Sequence, residues 1–314
     1  MYNKRILVGI SKGKDNIAFG GIRLVKINNN NKQLAKDLAI TMHKKIKCLG
    51  LPYSGVKIIG EYNSDLDKLH LLDKLVDYIN NKKGNIIVGI DMGFSLDDIN
   101  YVTKKSEYII NTKGFAGKKT AEGIFASIKT YLEMNNILSP KVFLQGYGDV
   151  GRNLGKLISK MDNSRLYISC KDNSKNIINR DKFGNYLDNK QIFIKKYDVF
   201  IPCAISHVIT ESNINKINFK AIIGSSNNPL KDEINTAIKL KNKGIFYMPD
   251  FLINGGGMLY LIKSIKKENI SFIKNIKEIT KKALLDKKYD NTIEWANNIY
   301  NLNEIYATVE EIKL

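Results

Sequence analysis

The stretch Val142–Gly151, VFLQGYGDVG, decides the fold of this 314-residue chain. Its apolar start predicts a buried strand, and the ten residues after it, RNLGKLISKM, have the apolar spacing of a helix. A GxGxxG spacing is a weak signal alone. Between a strand and a helix, however, it favours a dinucleotide-binding turn over a merely structural glycine turn.

Each glycine of this turn has a separate role. Gly146 permits the tight turn, Gly148 lets the backbone approach a pyrophosphate, and Gly151 lets helix and strand pack closely. The helix N-terminus offers unpaired N–H groups and a positive dipole to phosphates. The predicted nucleotide-binding residues of the turn are Gly146, Tyr147, Gly148, Asp149, Val150 and Gly151.

Later apolar segments repeat the pattern. The strands predicted at 198–201, 221–223 and 245–247 each end in a small or polar loop, and helical stretches lie between most of them. This pattern predicts a doubly wound parallel sheet whose strand ends line one crevice. The loop after the first of these strands adds Cys203 and Ala204 to the nucleotide-binding candidates.

The nucleotide itself is less well determined. After the predicted strand 166–169, Asp172 lies at a suitable distance from the glycine turn to bind the adenosine ribose hydroxyls. Lys171 beside it could equally accept a 2′-phosphate. NAD is favoured as the cofactor, and NADP stays open.

Lys45 lies on the apolar face of a helix predicted over 34–46, LAKDLAITMHKKI, between the directions of Leu34 and Leu38. A lysine there costs desolvation unless an anion meets it, and burial lowers its pKa. Taken alone, it is better explained as a lysine at a helix end whose amino group reaches water.

Lys57 and Asp91 change this interpretation. Lys57 ends the predicted turn 51–57, LPYSGVK, and Asp91 closes the apolar run 86–90. Open α/β sheets hold reactive groups at the carboxyl ends of strands. An N-cap role for Asp91 is weaker, because Ser95 is the better cap. Together with Lys45, these residues predict a pocket for an anionic substrate and a proton transfer.

Composition excludes several classes of protein. The net charge is +19, but the lysines are spread through the chain among asparagines rather than focused on one stretch, so we expect no nucleic-acid partner. Three scattered cysteines and three histidines indicate a reducing compartment and no metal site. No apolar run is long enough for a signal peptide or membrane span, so a cytoplasmic location is predicted.

These residues resemble the glutamate/leucine/phenylalanine/valine dehydrogenase family of NAD(P)-dependent enzymes, from about residue 5 to about residue 265. The pattern is most similar to the leucine and phenylalanine dehydrogenases. The matching motifs are Phe19-Gly20-Gly21-Ile22-Arg23, Met42-His43-Lys44-Lys45, Ser54-Gly55-Val56-Lys57 and Asp91-Met92-Gly93. Ser54 and Val56 stand where the family has smaller residues.

The resemblance implies a role for each residue. Gly20 and Gly21 belong to the substrate site, in which Lys45 holds the α-carboxylate. Lys57 and Asp91 are catalytic. The resemblance also implies three further contacts. These are Thr120 at the nicotinamide amide, Asn227 near the nicotinamide and Asn254 near the substrate.

The resemblance also bears on specificity. Family members that take glutamate bind its side chain with a lysine before the glycine pair and a serine seven residues after the NxGG asparagine. Phe19 and Leu261 stand at those positions here. Burying a carboxylate against them would be strongly unfavourable, so an apolar side chain is predicted.

The function that follows is reversible, NAD(P)-dependent oxidative deamination of a branched-chain or aromatic L-amino acid. A specialised biosynthetic aromatic amino-acid dehydrogenase is the main alternative; a glutamate dehydrogenase or a non-catalytic binding homologue is less favoured. The predicted organisation is an α/β substrate domain at 1–115, a Rossmann domain at 116–256 and C-terminal helices at 257–314 that pack back on the substrate domain. A homo-oligomer is expected.

Overall fold

The computed structural model of the chain describes residues 5–170, 184–187 and 192–314. The chain divides into two compact units. The first comprises the chain up to Ala116 together with Gly257–Asn269 and Leu302–Leu314, and the second comprises Gly117–Gly256 together with Ile270–Asn301. Each unit contains a six-stranded sheet within these residues.

Strands and helices alternate along most of the chain. The elements up to the first long helix of the second unit are β1 (Arg5–Ser11), β2 (Ala18–Lys26), α1 (Asn31–Cys48), β3 (Ser54–Tyr62), α2 (Asp65–Asn81), β4 (Ile86–Ile90), α3 (Leu96–Lys105), β5 (Ile109–Ile110) and α4 (Phe115–Met134). Then follow β6 (Lys141–Gln145), α5 (Asp149–Ile158), β7 (Arg165–Ser169), β8 (Asn185–Tyr186), β9 (Tyr197–Pro202), β10 (Phe219–Ile223), α6 (Glu233–Asn242), β11 (Phe246–Met248), α7 (Asp250–Ile253), α8 (Gly256–Ile265), α9 (Phe272–Leu285), α10 (Thr292–Ile299) and β12 (Ala307–Lys313).

The sheet of the first unit is mixed and has the order β12-β1-β3-β2-β4-β5. β2 pairs in parallel with β3 and β4, whereas β1 is antiparallel to both β3 and β12. Gly21 at the centre of β2 pairs with Lys57 on one side and Gly89 on the other. Paired residues share a face of the sheet, so this register fixes which side chains surround Lys57.

The sheet of the second unit is entirely parallel in the described residues, with the order β11-β10-β9-β6-β7-β8. From β6 the chain runs outward through β7 and β8, then returns to β9 on the other side of β6. This reversal makes the carboxyl end of β6 the topological switch point, where open α/β sheets bind their ligands. The predicted fold class, an α/β substrate domain with a Rossmann-type doubly wound domain, is confirmed.

The C-terminal part differs from the sequence-based expectation. A helical chain from 257 to the end was predicted, but 307–313 form β12, which pairs antiparallel with β1. The β-branched residues Thr308, Val309 and Ile312 suit an edge strand, where Val309 and Ile312 pack against separate apolar clusters. In addition, α9 and α10 belong to the second unit rather than to the substrate unit.

Candidate active site

Lys57 and Asp91 form an ion pair in the first unit. Lys57 is only 3% exposed, and its amino group contacts Oδ2 of Asp91, which directly follows β4. The prediction that Lys57 ends a turn is wrong, because strand pairing with β2 already begins at Ser54. Asp91 is not the cap of α3, since Ser95 caps that helix through a full capping box, as predicted.

Arg23 is a third charged member of this group; it belongs to the matched glycine-pair motif, but no role was predicted for it. It lies on β2, where its Nε and Nη2 each lie 2.9 Å from Oδ2 of Asp91. Strand side chains alternate between faces, so a residue two positions after Gly21 points to the same side as Gly21. That period of two predicts that Arg23 lies on the same face as Gly21, whereas its contact with Asp91 depends on the pairing of β2 with β4.

Burial and neighbouring charges shift the ionisation of the pair. Burial lowers the pKa of Lys57; the carboxylate of Asp91 opposes this effect, and the charge of Arg23 reinforces it. Burial alone would raise the pKa of Asp91, but the charges of Lys57 and Arg23 hold it at about 2. Asp91 is therefore a carboxylate at neutral pH, and Lys57 releases its proton more readily than an exposed lysine does.

The glycine pair keeps the neighbourhood of Lys57 open. A Cβ on Gly21 would lie 3.2 Å from Nζ of Lys57, so any side chain there would occupy the space next to the amino group. A Cβ on Gly20 would lie 1.6 Å from the carbonyl oxygen of Val56, so the backbones of β2 and β3 could not approach as they do. Gly20 therefore allows the two strands to pack closely, and Gly21 leaves room for a substrate.

Lys45 is buried on α1 and is 8% exposed, as its position in the helical pattern predicted. Ala35, Leu38 and Ile46 on the same helix are also buried. A buried lysine needs an anionic or polar partner, so this burial agrees with a site for an anion. Its binding of the substrate carboxylate stays a prediction.

Phe19 and Leu261 lie in one apolar cluster of the first unit, although they are far apart in the chain. The Phe19 ring meets the Tyr53 ring edge-on, with 4.9 Å between centroids, and the Tyr53 hydroxyl contacts the carboxylate of Glu268. The other buried members of the cluster are Ile46, Ile87, Met258 and Ile262. Tyr53 was not among the predicted site residues, because its loop position gave no indication of a partner over two hundred residues away.

In the second unit, the glycine turn has the geometry that a pyrophosphate needs. Gly146 has φ +97°, in the left-handed region that favours glycine, and it follows β6 directly. No atom would lie within 4 Å of a Cβ on Gly148, where α5 begins, so the backbone there can be approached closely. A Cβ on Gly151 would lie 2.1 Å from the carbonyl oxygen of Gly146, so helix and turn pack tightly. These features fit a dinucleotide.

The flanking candidates surround this turn. A Cβ on Gly146 would lie 2.8 Å from the Cβ of Ala204, and the Cys203 amide donates to the Gln145 carbonyl at 2.8 Å. Tyr147 is buried, and its ring lies beside α5. The remaining residues of the turn, Asp149 and Val150, form the first turn of α5. The structure therefore brings the predicted turn residues together with the loop after β9.

Asn227 and Asn254 also meet within the second unit. The side-chain amide of Asn254 donates to the Ser225 carbonyl and to Oδ2 of Asp250, each at 3.2 Å, and to Oδ1 of Asn227 at 3.4 Å. Its own Oδ1 is buried without a hydrogen-bond partner among the described residues. A buried acceptor left open is suited to an N–H donor of a ligand.

The backbone of Thr120 lies against Gly256, which follows Asn254 by two residues. Thr120 is buried on α4, and a Cβ on Gly256 would lie 2.6 Å from its backbone nitrogen. Asp172 and Lys171, the predicted ribose and 2′-phosphate partners, lie outside the described residues. The roles given to Thr120, Asn227 and Asn254 at the nicotinamide and substrate stay predictions.

No helix in the described part of the chain combines the length and hydropathy needed to cross a bilayer. Nor do three or more histidine, cysteine, aspartate or glutamate side chains gather there as a metal site.

Comparison with known proteins identifies the family. The profile described as Glutamate/Leucine/Phenylalanine/Valine dehydrogenase matches residues 165–304. Phenylalanine dehydrogenase from Lysinibacillus sphaericus is 28% identical over 307 residues, which cover 89% of this chain and 80% of that protein. The profile and the curated relatives together support the glutamate/leucine/phenylalanine/valine dehydrogenase family for this chain. They indicate an oxidoreductase of the amino-acid dehydrogenase class that acts on the CH–NH2 group, and the members of that family depend on a nicotinamide nucleotide.

Other members of the family are similar at the same level. L-tryptophan dehydrogenase from Nostoc punctiforme is 28% identical over 252 residues, covering 77% of this chain and 71% of that protein. The crystal structure of L-tryptophan dehydrogenase from Nostoc punctiforme has a TM-score of 0.73 at 24% identity, covering 94% of this chain and 91% of that one. A hetero-hexameric glutamate dehydrogenase from Thermus thermophilus has a TM-score of 0.72 at 15% identity, and the match covers 92% of this chain and 81% of that one. These structural likenesses show the fold.

Proposed function

We propose that the protein catalyses the reversible oxidative deamination of an apolar L-amino acid. Substrate, water and NAD(P)+ give the 2-oxo acid, ammonium, NAD(P)H and a proton. The observation that carries the proposal is the ion pair between buried Lys57 and partly exposed Asp91 beside Gly21, because it joins a lysine of lowered pKa and a carboxylate in a space left open by a glycine. A protein that only binds amino acids would not need such a proton-transfer pair.

Each charged group then has one task. Lys45 binds the substrate α-carboxylate and so orients Cα. Lys57, as a neutral amine, takes a proton from the water that adds to the imine, and its ammonium form later polarises the 2-oxo group. Asp91 exchanges protons with the substrate nitrogen as imine and carbinolamine interconvert. A bound nicotinamide would supply the hydride acceptor for Cα.

The apolar cluster supports the choice of substrate. Phe19 and Leu261 would face the substrate side chain, and neither can pair with a second carboxylate. Leaving that carboxylate unpaired in the cluster would cost several kcal/mol. The relatives named phenylalanine and tryptophan dehydrogenase support an aromatic substrate. Leucine dehydrogenase from Bacillus cereus, which is 27% identical over 259 residues, supports a branched-chain substrate.

A panel of L-amino acids assayed for nucleotide reduction at alkaline pH tests the proposal. Turnover with leucine, valine, isoleucine, phenylalanine or tryptophan well above that with glutamate is expected. A single aromatic amino acid far ahead of the others would favour the specialised biosynthetic enzyme. Nucleotide binding without turnover of any amino acid would instead indicate a binding homologue and overturn the proposal.

Asp172 offers a test of the cofactor, for which we propose NAD. If its carboxylate binds the ribose hydroxyls, Asp172→Ala should weaken the use of NAD while sparing NADP. kcat/KM for each nucleotide is the measurement, and Asp162→Ala, which removes an exposed aspartate of the same unit, is the matched control. Equal or better use of NADP by the unmodified protein would point to Lys171 as a 2′-phosphate partner instead.

We further propose that the protein works as a homo-oligomer in the cytoplasm. The proposal is supported by the glutamate dehydrogenase from Thermus thermophilus, a hetero-hexamer that shares the fold. Analytical ultracentrifugation would give the mass in solution, and the mass of a single chain, 35.6 kDa, would contradict it.

A further inference from the structure

Arg23 and Lys57 both bind the same oxygen of Asp91. The guanidinium Nε and Nη2 each lie 2.9 Å from Oδ2, and the Lys57 amino group contacts Oδ2 as well. Oδ1 of Asp91 has no hydrogen bond to any described residue, and 29% of the side chain is exposed. The backbone is fixed too, because the Asp91 amide donates to the Ile22 carbonyl at 3.0 Å. One oxygen is therefore held, and the other is left for a ligand.

We propose that Arg23 is a positioning residue that holds Oδ2 of Asp91 so that Oδ1 faces the substrate nitrogen, and that its fixed charge lets Lys57 release its proton. This proposal rests on the deamination proposed above. Arg23 need not touch the substrate, since it acts through Asp91 and Lys57.

The carboxylate of Asp91 is only partly exposed, and Lys57 beside it is buried. If Lys57 were the single cation beside Asp91, releasing its proton would leave that carboxylate without a counter-charge, which is costly where water is largely excluded. Arg23 removes this cost, because a guanidinium stays charged throughout the working pH range and holds the carboxylate in a planar fork. Lys57 can then become neutral while Asp91 stays paired.

The charged neighbours of the pair come from three strands. Within the described residues, the charges that shift the pKa of Lys57 belong to Asp91, at the end of β4, and to Arg23 on β2. The charges that lower the pKa of Asp91 belong to Lys57 on β3 and to Arg23. The charge of Arg23 lowers the pKa of both partners, so its removal should raise both.

The test is the pH profile of kcat/KM for the best substrate of the panel, measured on Arg23→Gln and Arg23→Lys. Deamination needs the neutral amine of Lys57, so activity rises with pH through the pKa of that group. In Arg23→Gln the rise should move to higher pH by about one pH unit, with roughly fivefold less activity at the wild-type midpoint and roughly tenfold less well below it. Arg23→Lys keeps the charge but not the fork, so its rise should stay near the wild-type pH while kcat falls.

A merely structural arginine gives a different result. A uniform loss at every pH in Arg23→Gln, with an unshifted rise, would overturn the proposal. Wild-type kcat in Arg23→Lys would overturn the positioning of Asp91. If Arg23→Gln fails to unfold cooperatively, Arg23→Met serves for the same comparison.

A readout without turnover keeps this inference separate from the proposed function. NMR titration of protein labelled with 13C at lysine Cε follows the ionisation of Lys57 directly, and Lys57→Met assigns its signal. A titration moved to higher pH in Arg23→Gln supports the electrostatic role even if no amino acid is turned over. An unmoved titration overturns that role even if the enzyme is active.

Discussion

Replacing Lys57 with alanine is expected to lower kcat by at least ~100-fold, the usual scale for a general acid–base group. Affinity for the nucleotide should stay near the wild-type value, because Lys57 belongs to the first unit and the glycine turn to the second. Steady-state deamination gives kcat, and titration with the reduced nucleotide, followed by its fluorescence, gives the affinity. Loss of turnover with intact nucleotide binding would assign the chemistry to the first unit.

The fold of the variant needs its own control. Alanine at 57 leaves Asp91 paired with Arg23, so the partly exposed carboxylate keeps a counter-charge and the melting temperature should change little. Lys36→Ala removes an exposed lysine of the same unit and should have wild-type activity. Near-normal turnover in Lys57→Ala would contradict the roles given to Lys57 and Asp91 together.

Local patterns predicted much of this molecule from the sequence. The strand, glycine turn and helix around Gly146 were predictable because each depends on neighbouring residues, and the positive φ of Gly146 is a property of that position alone. The burial of Lys45 followed from helical periodicity, and the capping of α3 by Ser95 from the residues next to it.

The features that were missed depend on partners distant in the chain. Arg23 meets Asp91 only because β2 lies beside β4, and Tyr53 meets Glu268 across 215 positions. The segment that forms β12 was predicted to be helical. Its strand conformation depends on pairing with β1 at the other end of the chain, which the local sequence does not show. Sheet order and register determine such contacts, and neither can be read from the residues of one strand.

Selection of an apolar side chain over a second carboxylate should be the largest specificity effect. Leucine, valine, isoleucine or phenylalanine should exceed glutamate in kcat/KM by on the order of a thousandfold, because a buried, unpaired carboxylate costs several kcal/mol. Phe19 and Leu261 are 0% and 2% exposed and share one apolar cluster, so neither offers a charge. Steady-state kinetics with glutamate and leucine measure the ratio.

The double variant Phe19→Lys/Leu261→Ser should recover part of the glutamate activity and lose activity with leucine. Glu268 bears on this design, because its carboxylate contacts the hydroxyl of Tyr53, whose ring packs against Phe19. A lysine at 19 could pair with Glu268 instead of the substrate, so adding Glu268→Gln should raise glutamate activity further. Leu261→Ser alone supplies no charge and is the matched control, for which leucine should still exceed glutamate. If the unmodified enzyme prefers glutamate, the assignment of the side-chain pocket to Phe19 and Leu261 is wrong, while the Lys57–Asp91 chemistry would still stand.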